Sequence, residues 1–203
     1  MPDKTNRQTA YETAAENAVK LLHSIDIQEC CRQLELTFLS DGKISIHVLE
    51  NELLISTSDY SAIIASTGKP AHPIDRILAL HYLLCDFAVK ETGELISFRD
   101  LPGGQFYLEP FRSRTVVPLE KNIGNNIEIL KERLARYEWE QVKYGDLGAR
   151  IHAIGEIYIT LVYRTGDDEF PPSAEILFDS IIGRVFSTDD VSALAGRMCM
   201  GLL

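Results

Sequence analysis

Glu156-Ile-Tyr-Ile-Thr-Leu-Val-Tyr-Arg164 decides the fold. Ile157, Ile159, Leu161 and Tyr163 alternate with Tyr158, Thr160, Val162 and Arg164, so both faces of an extended chain here are largely apolar or aromatic. A strand of that kind belongs in the middle of a sheet. Directly after it, Thr165-Gly-Asp-Asp-Glu-Phe-Pro-Pro-Ser173 breaks the pattern. Pro172 pushes Pro171 out of the helical region and Ser173 can cap a helix, so the stretch reads as a strand-to-helix junction, with 173 to about 185 partly helical. Upstream, residues 139–144 and 148–154 read as two further strands.

Toward the N-terminus, Tyr11, Ala14, Ala15, Ala18, Leu21, Leu22 and Ile25 recur at the spacing of one helix face, with Thr9 and Glu12 placed as a capping box. A short helical turn over 27–33 precedes three strand-like runs, 34–39, 43–49 and 53–57, joined in part by the hairpin turn Ser40-Asp-Gly-Lys43; this is an antiparallel meander. Pro73 and Asp75 open a helix predicted over 74–90. Helical segments are also predicted near 106–111, before Gly124, over 126–137 with Glu132 and Arg136 paired at i,i+4, and after Ser187, which has Asp190 three residues on. The fold class is α+β: a mixed or antiparallel sheet, or two small sheets, packed with several helices. No repeat or linker divides the chain, so a single domain is expected over 9–203 behind a flexible N-terminus at 1–8.

Composition bounds the function. A chain of 203 residues with 45% hydrophobic and 25% charged residues is ordinary globular material, able to bury about 70% of its unfolded surface. Its 20 basic and 30 acidic residues leave a net charge of -10, a field that repels phosphate backbones and anionic lipid. No basic cluster is denser than Arg112-Ser-Arg114, so nucleic acid is not an expected partner. The polar N-terminus has no secretory apolar core, and the most apolar stretch, 77–84, is too short to span a bilayer. A cytoplasmic protein without a membrane role is expected. Cys30, Cys31, Cys85 and Cys199 show no CxxC spacing, which argues against a disulfide framework and for one buried and one partly exposed thiol at 30 and 31.

Four groups of residues invite chemistry. Asp167, Asp168 and Glu169 could hold a hard cation, with Asp167 and Glu169 sharing a face if the backbone stays extended, and with Asp100, Asp146 or Asp179 to complete the site. The alternative is a solvated turn that favours the N-terminus of the next helix. His81 and Cys85, four apart on one predicted helix, could offer two ligands to a soft metal, or could be a core histidine beside a buried thiol. Arg99-Asp100-Leu-Pro-Gly-Gly104 could meet an anion, or could be a tight connection with Arg99 paired to a carboxylate, for instance in the 167–169 cluster. The rigid 166–173 turn could hold Glu169 or Phe170 at a cleft rim. P-loop, Rossmann and GxSxG motifs are absent.

His81-Tyr-Leu-Leu84, Ser97-Phe-Arg-Asp-Leu-Pro-Gly-Gly104, Gly145-Asp146, Gly166-Asp-Asp-Glu-Phe-Pro-Pro-Ser173 and Ile176-Leu-Phe-Asp179, in that order, resemble the prokaryotic domain of unknown function family 3786. The likeness runs over roughly residues 10–200. It implies a family seen mainly in anaerobic bacteria and archaea, some members fused to iron-sulfur segments, and it carries no known activity, catalytic set or cofactor. The scattered cysteines here lack four-thiolate spacing, so any cluster would sit on a protein partner.

The expectation is an accessory or ligand-binding protein, with anaerobic redox or one-carbon metabolism as the context the resemblance implies. Its pocket is expected between the 99–104 loop and the 166–173 turn, with Arg99 and Asp100 on one side and Asp167 and Glu169 on the other. The alternatives are a metal-dependent hydrolase using Asp167, Asp168 and Glu169, and a scaffold with no small ligand. Cofactor identity and oligomeric state are open at this level.

Overall fold

A computed structural model describes residues 4–203, with side chains from Tyr11 onward. The chain divides into two compact units, one ending at Val89 and the other Lys90–Leu203.

The first unit contains α1 (Lys4–Leu22), α2 (Ile27–Gln33), β1 (Thr37–Phe38), β2 (Lys43–Val48), β3 (Asn51–Ser56), β4 (Ala62–Ile64) and α3 (Pro73–Leu83). The expected meander is present, since β1 pairs with β2, β2 with β3 and β3 with β4, each antiparallel. Along β2, Ile44, Ile46 and Val48 are buried while Lys43, Ser45 and His47 are half-buried, the period-two pattern that fixes the register. The strand predicted from 34 shrinks to Thr37–Phe38, because Leu34 instead caps α2 and is buried. α1 starts at Lys4, so Thr9 lies inside the helix rather than capping it; of the expected flexible N-terminus, residues 1–3 lie outside the described residues.

α3 also departs from expectation, stopping at Leu83 instead of running to 90. The Leu84 and Cys85 amides close tight bonds to the carbonyls of His81 (3.2 Å) and Tyr82 (3.1 Å), three residues back, which ends the α-helical ladder. His72 caps its start through Nδ1, which accepts the Ile74 N–H, and Pro73 occupies the first turn.

The second unit contains β5 (Leu95–Ser97), a 3-10 turn (Phe98–Asp100), α4 (Gly104–Arg114), α5 (Val116–Ile123), α6 (Ile127–Leu134), β6 (Trp139–Val142), β7 (Leu147–Ile154), β8 (Ile157–Arg164), β9 (Ser173–Asp179), α7 (Ile182–Val185) and α8 (Thr188–Gly201). Its strands are ordered β6-β7-β8-β9-β5, each adjacent pair antiparallel. β8 sits between β7 and β9, as its two apolar faces require; Ile159 and Tyr163 are fully buried and Val162 almost so. α8 opens with the predicted reciprocal cap of Ser187 and Asp190. Arg136 donates to the carbonyl of Gly201 at 2.7 Å, in place of the expected pairing with Glu132.

The main correction concerns residues 173–185. Ser173 starts a strand, not a helix, so the Pro-Pro turn joins two neighbouring strands and its acids face no helix N-terminus. The reason lies in Ser173-Ala-Glu-Ile-Leu-Phe-Asp179: Ala174, Ile176 and Phe178 point into the core at every second position. Pairing with β8 along 173–178 and with β5 along 177–179 then satisfies much of the backbone, and Glu120 accepts the Ala174 N–H. The fold class is thus α+β with antiparallel strand pairing. Among the described residues, no helix is long and apolar enough to cross a membrane.

Candidate functional site

The most informative site is built around the turn after β5. Ser97 donates both its N–H and its hydroxyl to Asp100 Oδ2 at 2.8 Å, which closes the 3-10 turn. Those bonds from Ser97, helped by the charge of Arg99, hold the Asp100 carboxyl below its ordinary range. Gly103, at φ 74°, then swings the chain into α4. A Cβ on Gly104 would lie 2.0 Å from the carbonyl oxygen of Phe98, so glycine alone lets α4 begin this close to the turn.

Phe111 of α4 stacks on Phe98, ring centroids 4.0 Å apart and planes 3° apart. Buried Thr115, at φ -119° and ψ -89°, separates α4 from α5, its hydroxyl donating to the Phe111 carbonyl at 2.8 Å. From α5, Glu120 Oε1 accepts the Ala174 N–H of β9 at 2.9 Å and lies 3.8 Å from Arg112 Nη2.

These pieces enclose a cavity of about 360 Å³ formed by the 97–100 turn, the facing side of α4, Val116 and residues 174–176. Leu108, Phe111, Val116 and Ile176 give it an apolar floor, and Arg99, Asp100, Arg112 and Glu175 supply charge. The charged groups differ in how they are used. Asp100 is engaged by Ser97, and Arg112 has a loose contact with Glu120. Among the described residues, neither the Arg99 guanidinium nor the Glu175 carboxylate makes a hydrogen bond or ion pair. The pairing of Arg99 with the 167–169 acids, one of the two expectations for its loop, therefore does not form.

Arg99 and Asp100 do line one cavity, whereas Asp167 and Glu169 do not line it; 174–176 form that wall instead. The acidic turn is closed on itself. Asp167 Oδ1 accepts the N–H groups of Glu169 (2.9 Å) and Phe170 (2.8 Å), which hold its carboxyl below the usual range. Asp146 Oδ2 accepts the Thr165 N–H and hydroxyl, both at 2.7 Å, and the side chain of Asn125 brackets Gly166. The backbone is turned rather than extended, so the shared face expected for Asp167 and Glu169 does not form. Glu169 and Asp168 are exposed.

Asp179, another candidate to complete a cation site, is buried and spends both oxygens on backbone. It accepts from the amides of Thr92, Gly93 and Ile181 at 2.8–3.0 Å, and from the Thr92 hydroxyl. Burial raises its carboxyl pKa, but these donors outweigh burial and the net shift is downward. Among the described residues, Asp167, Asp168 and Glu169 join no cluster of ligand atoms close enough for one ion, and neither do His81 and Cys85.

His81 and Cys85 also lose their shared helix face, since α3 ends between them. Cys30 and Cys31 are both buried, not one of the two, and all four cysteines are free. Cys30 Sγ–H donates to the Leu83 carbonyl at 2.9 Å. Burial pushes the Cys30 and Cys31 thiols up to about 11, with the neighbouring Cys30 adding to the rise at Cys31, and the Cys85 thiol up to about 12. Protonated thiols of this kind are poor ligands and poor nucleophiles.

The first unit holds a larger, more apolar cavity of about 730 Å³ between α1, the 59–62 segment and the start of α3. Several of its polar groups are occupied locally. Asp59 Oδ1 accepts from the Ser61 N–H and hydroxyl, Arg76 Nε donates to the Tyr60 carbonyl at 2.8 Å, and His72 caps α3. Size favours this cavity, but unengaged polar groups favour the one beside Arg99. Sequence reasoning missed Arg112 as a site residue, noting it only as part of a weak basic cluster, and missed Glu175 because its strand was not foreseen.

An α+β unit whose strand-and-helix frame supports a small charged cavity is the class these features define. The chain belongs to the family described as a domain of unknown function (DUF3786), which matches over residues 26–200. No curated protein and no solved structure matches it.

Proposed function

We propose that the chain is a binding protein for a small molecule carrying an anionic group and a compact apolar portion, taken up in the cavity beside Arg99. One observation carries this reading: a guanidinium with no hydrogen bond or ion pair to the protein lines a cavity that also has apolar walls. A guanidinium is always charged and presents a planar fork matched to carboxylate or phosphate oxygens. The Phe98–Phe111 stack, with Leu108, Val116 and Ile176 in the same lining, offers an apolar surface for the rest of the ligand. A volume of about 360 Å³ suits a compact molecule, near the lower end of the usual range of about 300–1,000 Å³.

The four unbridged thiols suit a reducing compartment, and the cytoplasm is the site of action this reading adopts. The test is titration calorimetry with 3-phenylpropanoate, which combines one carboxylate with one aromatic ring. Saturable binding by the folded chain, weakened at least tenfold in Arg99→Ala with an unchanged melting temperature, is the expected result. Equal affinity of the two proteins would remove Arg99 from the site.

A further inference from the structure

The charges around the cavity narrow the ligand further, on the premise that the cavity is a binding site. Its lining holds two cations, Arg99 and Arg112, and two anions, Asp100 and Glu175, so its formal charge sums to zero. A dianion such as a phosphate monoester would find two guanidinium groups, but also two carboxylates. Glu120, fixed on the Ala174 amide, stands 3.8 Å from Arg112 and adds further negative charge. That environment disfavours a second negative charge on the ligand.

The two acids are not equivalent. Asp100 Oδ2 accepts two bonds from Ser97, and its removal from the turn would undo the cap. Glu175 has no such engagement and comes from β9, the strand that pairs with β5, which leads directly into the turn carrying Arg99. The cavity therefore offers one unengaged charge of each sign on neighbouring elements, with apolar side chains in the same lining.

We infer that the ligand is a zwitterion of the amino-acid type, its carboxylate on Arg99 with Arg112 nearby, its ammonium on Glu175, and its apolar side chain against the Phe98–Phe111 floor. A net-neutral ligand adds no net negative charge to a lining that already holds two carboxylates, with Glu120 close by. It leaves neither Arg99 nor Glu175 as a partly desolvated charge without a partner once the cavity is filled.

The test compares three probes of one skeleton by titration calorimetry on the full chain: L-phenylalanine with both charges, 3-phenylpropanoate with only the carboxylate, and phenethylamine with only the ammonium. Each is titrated into the unaltered protein and into Glu175→Gln, which keeps size and hydrogen bonding but removes the charge. L-phenylalanine is expected to bind at least tenfold more tightly than 3-phenylpropanoate, and Glu175→Gln to bring the two level. If both acids bind equally well to the unaltered protein, or if Glu175→Gln leaves their ratio unchanged, the zwitterion inference is overturned while the cavity reading stands. If none of the three binds, both fall. The melting temperature of Glu175→Gln separates either outcome from a stability effect, and it should match that of the unaltered chain, since Glu175 is exposed and holds nothing in place.

Discussion

Two turns of the second unit carry acids beside glycines, and they place their unengaged charges differently. In Gly166-Asp-Asp-Glu-Phe-Pro-Pro-Ser173, Asp167 folds back onto its own backbone and Asp146 and Asn125 pin the start, while Asp168 and Glu169 are exposed and do not line the cavity beside Arg99. In Ser97-Phe-Arg-Asp-Leu-Pro-Gly-Gly104, Asp100 is consumed in the same manner, but Arg99 is left over and lies against a cavity. Density of charge marked the first turn in the sequence. The second is distinguished by an unengaged charge that lines a cavity, which is a better guide to a binding group than an unengaged charge on open surface.

The comparison can be broken at several points. The largest effect is expected at the glycines: Gly104→Ala should cost about 3 kcal/mol by urea denaturation, the upper end of overpacking, because its Cβ would meet a backbone oxygen at 2.0 Å. Gly166→Ala, with closest approaches of 2.7 Å, should cost less. An equal or reversed order would mean that the start of α4 is freer to shift than the acidic turn.

Asp179→Ala, which strips the anchor from the segment leading into β5, should cost about 2–3 kcal/mol in the same assay, as expected for loss of a buried, charge-assisted set of hydrogen bonds. Arg99→Ala should weaken 3-phenylpropanoate at least tenfold without measurable loss of stability, the reverse of the Asp179 result.

Acid provides a further probe. The folded carboxyls of Asp100, Asp146, Asp167 and Asp179 all lie below their ordinary values, so the stability they contribute is complete above the unfolded value of about 3.9 and is lost as pH falls through the folded values. The melting temperature should hold from neutral pH to about pH 5 and fall below pH 4, and Asp179→Asn should flatten that fall. Smallest of all, Asp167→Ala should lower the melting temperature slightly and leave binding intact, and Asp168→Ala should change neither. A loss of affinity in either variant would move the site toward the acidic turn.

The central strand was legible because apolar side chains at successive positions, rich in β-branched residues, suit a segment covered on both faces of a sheet. β9 was not, because the Pro-Pro-Ser grammar of a helix start stood in front of a seven-residue strand whose period-two pattern is short. β5 has only three residues, too few for any periodicity, and exists because β9 offers it an edge. Arg99 could be singled out from its loop. Arg112 and Glu175 could not be joined to it, since they sit on a different helix and on the unforeseen strand. The burial of both Cys30 and Cys31 likewise arises from tertiary packing around a seven-residue helix, not from that helix's own periodicity.

The bonds of Asp179 to Thr92 and Gly93 join residues 87 and 86 apart along the chain. Hairpins such as β7–β8 close short loops and reward them at once, whereas β5 can add to β9 only after a long loop has been closed. During folding, β5 should therefore dock late, and the 97–100 wall of the cavity, which hangs from it, should be completed last. A stopped-flow experiment following 3-phenylpropanoate uptake during refolding should show binding competence lagging behind recovery of β-sheet circular dichroism, and Asp179→Ala should widen the lag.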